Sequence, residues 1–129
     1  MKIKTSELID VALDWAVAKC EGHALPPFPG RSGIKECWIN VSPAGHEVFA
    51  PSTDGSQGVP IIEREGIQWI NNGRSDRAGK PYKWLATKDF SDPLRNFYGP
   101  TILVACLRCY VASRLGDEVD VPEELCHEG

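Results

Sequence analysis

"PTILVACLRCYVASRL", Pro100 to Leu115, is the stretch on which the fold turns. Leu103, Leu107, Tyr110 and Arg114 recur on one helical row, and Ile102, Ala105, Cys106 and Cys109 widen the apolar face beside it. Pro100 suits the first helical position and Gly116 the C-terminal stop. So broad an apolar face predicts a mostly buried helix. It also favours a homo-oligomer, in which a second copy covers part of that face.

A second helix is expected over Ser6 to Glu21, "SELIDVALDWAVAKCE", where Ile9, Leu13, Ala16 and Cys20 form one stripe flanked by Leu8, Ala12 and Trp15. Thr5 or Ser6 would cap its start, and Gly22 would end it. The prolines and glycines of "HALPPFPGRSG" then require an extended or turning loop. "IKECWINV" and "HEVFAP", separated by Pro43-Ala44-Gly45, predict a hairpin. "VPIIEREGIQWI", Val59 to Ile70, is rich in β-branched residues and broken by Gly66, which predicts a third strand and a fourth with a bulge or tight turn between them. "NNGRSDRAGKPY" reads as a polar turn cluster, "KWLAT" as one more short strand and "KDFSDPLRNFYG" as a surface loop. In the acidic tail "DEVDVPEELCHEG", Val119, Val121 and Leu125 allow a docked extended segment. The sum is one α+β domain over residues 1–129: a small, mainly antiparallel sheet built between Ile34 and Thr87, packed against N-terminal and C-terminal helices.

At 129 residues the chain can bury roughly two-thirds of its unfolded surface around one core. A net charge of −4 and a pI near 5.3 disfavour duplex nucleic acid, whose binding rests on several Lys or Arg contacts. The basic residues nonetheless gather mid-chain (Arg64, Arg74, Arg77, Lys80, Lys83, Lys88 and Arg95), which leaves room for a small anionic ligand. No apolar run approaches the roughly 20 residues that cross a bilayer. "MKIKTSELID" lacks the apolar core of a secretory leader, so a cytoplasmic protein is expected. Of the five cysteines, Cys106, Cys109 and Cys126, with His127, could be drawn as a zinc site. The Cys106 and Cys109 pair falls inside a helical pattern, so reduced core thiols are expected instead, with no metal and no cofactor.

His23, His46 and His127 sit in no nucleophile motif, and no phosphate loop or metalloprotease motif is present. Glu63 and Glu65 alternate as strand residues do. No catalytic residue can be named, and an enzyme is not expected. Binding has better material. Trp38, Trp69, Tyr82, Trp84, Phe90, Phe97 and Tyr98 accompany Arg74, Arg77 and Arg95, and aromatic faces stack bases while arginines pair phosphates. Many of those rings must also fill the core. In "FAPSTDGSQGVPI" the side chains of Ser52, Thr53, Asp54 and Gln57 offer donors and acceptors, and Gly55 and Gly58 allow close backbone approach. A turn satisfying its own backbone explains the same residues. The candidate ligand site is therefore Ser52, Thr53, Asp54 and Gln57, completed by Trp38 or Trp84 and by Arg95.

Three stretches, "KTSELIDVALDWAVAKCEG", "FAPSTDGSQGVPIIEREGI" and "YGPTILVACLRCYVASRLGDEVDVPEEL", together resemble the NinX family of small proteins encoded among the accessory genes of tailed phages and prophages of enteric bacteria. The family pattern often carries an aromatic after "PSTD", where this chain has Gly55, while Ser-Thr-Asp is retained. The resemblance implies a phage protein acting in the bacterial cytoplasm and transfers no catalytic residue. Two functions follow. One is a non-catalytic anti-defence protein that binds a small nucleotide-derived immune signal and withholds it from its receptor. The other is an adaptor or inhibitor that engages a host protein through an apolar or acidic surface, the acidic tail included.

Overall fold

A helix with little polar surface has to be wrapped, and here the same chain does the wrapping. The computed structural model describes residues 1–23, 37–41, 45–75, 81–89, 91–92 and 95–125. In chain order the elements are β1 (Lys2–Lys4), a 3-10 turn (Thr5–Glu7), α1 (Asp10–Cys20), β2 (Trp38–Val41), β3 (Gly45–Val48), α2 (Gly55–Glu65), β4 (Gln68–Ser75), β5 (Pro81–Thr87), β6 (Phe97–Gly99), α3 (Ile102–Leu115), β7 (Glu118–Asp120) and a second 3-10 turn (Glu123–Leu125).

Every residue of α3 from Val104 to Val111 is buried, among core residues drawn from α1, α2 and the strands. Burying a side chain of the size of Leu107 contributes about 1.5–3 kcal/mol. The apolar breadth that suggested a second copy is thus taken up within the chain. Thr101 caps α3, its hydroxyl accepting from the Val104 N–H at 3.1 Å, so Pro100 lies just outside the helix rather than at its first position. Gly116, at φ 87°, ends it as expected.

The one charged residue inside this buried run, Arg108, is 6% exposed. Its Nε donates to the Leu8 carbonyl at 2.7 Å and its Nη1 to the Tyr98 carbonyl at 2.8 Å. The guanidinium therefore ties the lead-in to α1 and strand β6 to α3.

The class is α+β, with every described strand pair antiparallel, but the strands form separate sheets: β4-β5-β6, the hairpin β2-β3 and the ribbon β1-β7. The ribbon shows that the acidic tail is docked, with Val119, Val121 and Leu125 buried. Strand β6 lies in the segment read as a surface loop, where Ala86 pairs with Phe97 and Trp84 with Gly99. Strand β4 runs on through "NNGRS", with a register shift between Asn71 and Arg74. The Pro43-Ala44 turn, the loop at 24–36, Arg77, Phe90, Cys126 and His127 lie outside the described residues.

The largest correction concerns Gly55–Glu65, which is helix α2 and not a strand. Asp54 caps it, and Gly66 stops it in the left-handed conformation at φ 66°. Gly58, Ile61 and Ile62 bury one helical stripe. Pro60 stands sixth of the eleven residues, mid-helix, where it removes one helical N–H donor, and its exposed ring meets solvent. Helix α1 starts at Asp10, later than expected, because the proposed cap Thr5 is used elsewhere: its hydroxyl donates to the Gly116 carbonyl at 2.6 Å, and its N–H donates to the Asp117 carbonyl at 2.8 Å. Gly22, at φ 78°, closes α1 as expected. Cys37, Cys106 and Cys109 are buried thiols, and burial pushes Cys37 and Cys106 up to about 12.

Candidate functional site

The candidate loop begins where β3 ends. The Ala50 carbonyl accepts from the Thr53 and Asp54 N–H groups at 3.1 and 2.8 Å, which turns the chain into α2. The Asp54 carboxylate accepts from the Ser56 N–H at 2.9 Å and the Ser56 hydroxyl at 2.7 Å. Gln57 reaches back over the turn, accepting from the Ala50 N–H at 2.7 Å and donating to the Val48 carbonyl at 3.1 Å. Thr53 is exposed and points its hydroxyl at the Ala50 carbonyl, 3.4 Å away. The side chains of Asp54 and Gln57 therefore satisfy backbone groups of their own segment. Trp38, half-buried, pairs across the hairpin with Val48, one strand from Gln57.

Ser52 is buried, and its N–H donates to Asp14 Oδ1 at 2.8 Å. Its hydroxyl lies against the same carboxyl, near enough to hold the Asp14 pKa down, without meeting hydrogen-bond geometry. Burial dominates, however, and pushes Asp14 up to about 6 from an ordinary 3.8, with the charge of Asp10 adding to the rise. This acid, from the middle of α1, is the anchor on which the loop sits.

Gly58 lets α2 approach the loop and α3 closely. A Cβ there would lie 2.5 Å from the Pro51 carbonyl oxygen and 2.8 Å from Leu103 Cδ2. The leucine could move, but the backbone oxygen cannot do so cheaply. Gly58→Ala is expected to lose about 2 kcal/mol in urea unfolding, because overpacking outweighs the gain in helix propensity. A variant as stable as the parent would show that α2 can shift to make room.

Arg95 lies elsewhere. It lines a cleft of about 350 Å³ whose one wall is Lys88, Asp92, Arg95 and Phe97. The other wall comes from the second half of α3 and its exit, with Cys109, Ser113 and Asp117. On α3, Leu103, where α2 packs, is six residues from Cys109 and ten from Ser113, which puts the cleft about 9–15 Å further along the helix. Ser52, Thr53, Asp54 and Gln57 are thus held together near Trp38, with Arg95 apart from them. Trp84 belongs to the three-stranded sheet, with the Lys83 ammonium 5.7 Å from its ring centroid. The side chains of Arg74 and Tyr82 are outside the described residues.

The cleft borders a charge network that sequence reading missed. Glu65, read as an alternating strand residue, ends α2 with its side chain only 10% exposed. It meets Arg64 at 3.0 Å, Lys88 at 3.0 Å and Arg114 at 3.2 Å. Burial alone would raise its pKa, but hydrogen bonds from Lys88 and Arg64, with the charges of Lys88 and Arg114, hold it down to about 2. Arg64 also grips Glu21 through two nitrogens at 2.9 and 2.6 Å, and Tyr110 donates its hydroxyl to Glu21. The Arg64 and Arg114 guanidiniums lie 5.7 and 5.5 Å from the Tyr110 ring centroid. Among the described residues no cluster of three or more His, Cys, Asp or Glu could hold a metal, and no helix is long and apolar enough to cross a membrane.

The bacteriophage P22 NinX family model matches residues 4–114. The chain belongs to that family. The match takes in the capped loop, α2, the segment carrying Lys88, Arg95 and Phe97, and α3 as far as Arg114. Strand β7 and Asp117, at the mouth of the cleft, follow the NinX match. No curated protein matches the chain. The NinX assignment therefore gives a phage context, and the chemistry has to come from the side chains. Lys88, Arg95 and Phe97 were visible together in "KDFSDPLRNFYG"; Ser113 and Asp117 join them only through packing.

Proposed function

We propose that this NinX-family protein is a non-catalytic anti-defence protein that works in the host cytoplasm. It holds a small nucleotide-derived immune signal in the cleft and so withholds it from its receptor. The observation that carries this reading is the joining of an exposed arginine, Arg95, to an aromatic ring, Phe97, in a concavity of about 350 Å³, within the size range of small-molecule sites. The phage family supplies the context. The loop at Ser52–Gln57 takes the lesser part, since its side chains serve their own turn.

Native mass spectrometry and thermal unfolding with cyclic and ADP-ribose-type nucleotides test it. At a free ligand concentration a hundredfold above Kd, stability should rise by about 2.7 kcal/mol, or roughly 10 °C in Tm. The ligand should be recovered unchanged, and the masses also report whether a homo-oligomer forms. A hydrolysed ligand would make the protein an enzyme, and no shift with any nucleotide would remove the reading.

A host-protein adaptor is the second reading, and one observation favours it. Trp69 and Ile70, 44% and 49% exposed, follow one another on β4, an edge strand of its sheet. An adaptor would show no nucleotide shift and would lose partner capture on Trp69→Ser.

A further inference from the structure

Resting on that reading, we infer that the cleft selects a nucleotide-sized ligand bearing a single negative charge, a cyclic nucleoside monophosphate, and rejects polyphosphates. Among the described residues four charged side chains line it: Lys88 and Arg95 against Asp92 and Asp117. Their sum is neutral. With no surplus of positive charge, a phosphodiester monoanion leaves one net negative charge that Lys88 and Arg95 can meet at short range, whereas a triphosphate would bring several more charges against the same two carboxylates.

The two cations differ from Arg64 and Arg114 beside them in how easily they can turn to a ligand. Arg64 and Arg114 are fixed over Tyr110, and Arg64 is further held by two bonds to Glu21. Lys88 is held by Glu65, which keeps Arg64 and Arg114 when Lys88 leaves. Arg95 is paired with Asp92 at 3.2 Å in a solvent-facing contact, its side chain 70% exposed, and such pairs stabilise little. Both can swing onto a phosphate without stranding a buried carboxylate. The carboxylates then set the rest of the selection. Asp117, exposed at the mouth, can accept from a ribose hydroxyl or a base amine, and Phe97 offers a ring against which a base can lie. The volume accommodates one nucleoside unit, not a chain of them.

The test is calorimetric titration of the full chain with 3′,5′-cyclic AMP, AMP, ATP and ADP-ribose. Cyclic AMP should bind at least tenfold more tightly than ATP. Arg95→Gln, at a site too exposed to unfold the chain, should weaken cyclic AMP at least tenfold, and Lys88→Gln should do likewise. Asp117→Asn should cut the preference over ATP at least threefold. ATP binding as tightly as cyclic AMP, or an unchanged Arg95→Gln, overturns the inference. If ADP-ribose binds and cyclic AMP does not, the selection proposed here fails while ligand sequestration stands. If none of the four binds, both fail.

Discussion

Replacing Arg108 with leucine is expected to lower the free energy of unfolding by about 4 kcal/mol, and Tm by roughly 15 °C. Leucine fills a similar volume nearer the backbone but stops at Cδ, so the place of the guanidinium itself is vacated. What is lost is the fork of donors: the Leu8 carbonyl, at a buried contact, and the Tyr98 carbonyl, at a part-buried one, lose bonds of 2.7 and 2.8 Å. Each unsatisfied carbonyl costs about 1–3 kcal/mol, against a total stability of about 5–15 kcal/mol for a domain of ordinary size. Arg108→Lys should recover part of the loss, since an ammonium keeps the charge but cannot span two carbonyls set by a planar guanidinium. Urea unfolding of the three proteins decides it. A leucine variant within 1 kcal/mol of the parent would mean that the two carbonyls find other donors.

Asp14→Asn should act in the opposite direction and only at one end of the pH scale. The folded chain holds the Asp14 proton up to about 6, whereas in the unfolded chain it is released near 3.8. Between those values the folded state binds the extra proton. Its contribution is therefore full below about pH 4 and lost as pH rises through 6. Asparagine cannot ionise, its carbonyl can still accept from the Ser52 N–H, and its amide can donate to the neighbouring Ser52 hydroxyl. At pH 8 the variant should be more stable than the parent by on the order of 3 kcal/mol, and at pH 4 the two should nearly coincide. Parallel stability profiles across this range would show that Asp14 is ionised in the folded chain at ordinary cost.

The sequence carried α1, α3 and the antiparallel character of the strands, and it failed where two signals competed. In α3 the apolar repeat and Gly116 agree, and the helix ends at Leu115 as expected. In Val59–Glu65 the β-branched residues and Pro60 outvoted a helix signature that was also present: Asp54 followed three residues later by Gln57, a stripe of Gly58, Ile61 and Ile62, and Gly66 as a stop. The cap signature won because the stripe could be buried against α3. Arg108 drew no notice within an apolar run, since its use depends on two carbonyls from distant segments. The same limit applies to the candidate site. Residue types marked Arg95 and the aromatics beside it as binding material, but only the placing of Lys88, Arg95 and Phe97 against α3 shows that Arg95 shares a cleft with Ser113 and not with Ser52. Nor could composition reveal that Asp54 and Gln57 would spend their hydrogen bonds on their own turn.

The β1-β7 ribbon joins Lys2–Lys4 to Glu118–Asp120, and the Thr5 hydroxyl reaches the Gly116 carbonyl in the same region. Contacts between segments so far apart in the chain raise the contact order and slow the last step of assembly, because a long loop must close before the pairing stabilises anything. On the ribosome the consequence is temporal. The Lys2–Lys4 segment emerges early, and its partner strand arrives only after more than a hundred further residues have been added, roughly 6–23 s later at ordinary elongation rates. For that interval α1 and the nascent middle of the chain must stay soluble without the clasp that later fixes them, and a newly made copy becomes competent only when translation of β7 is complete.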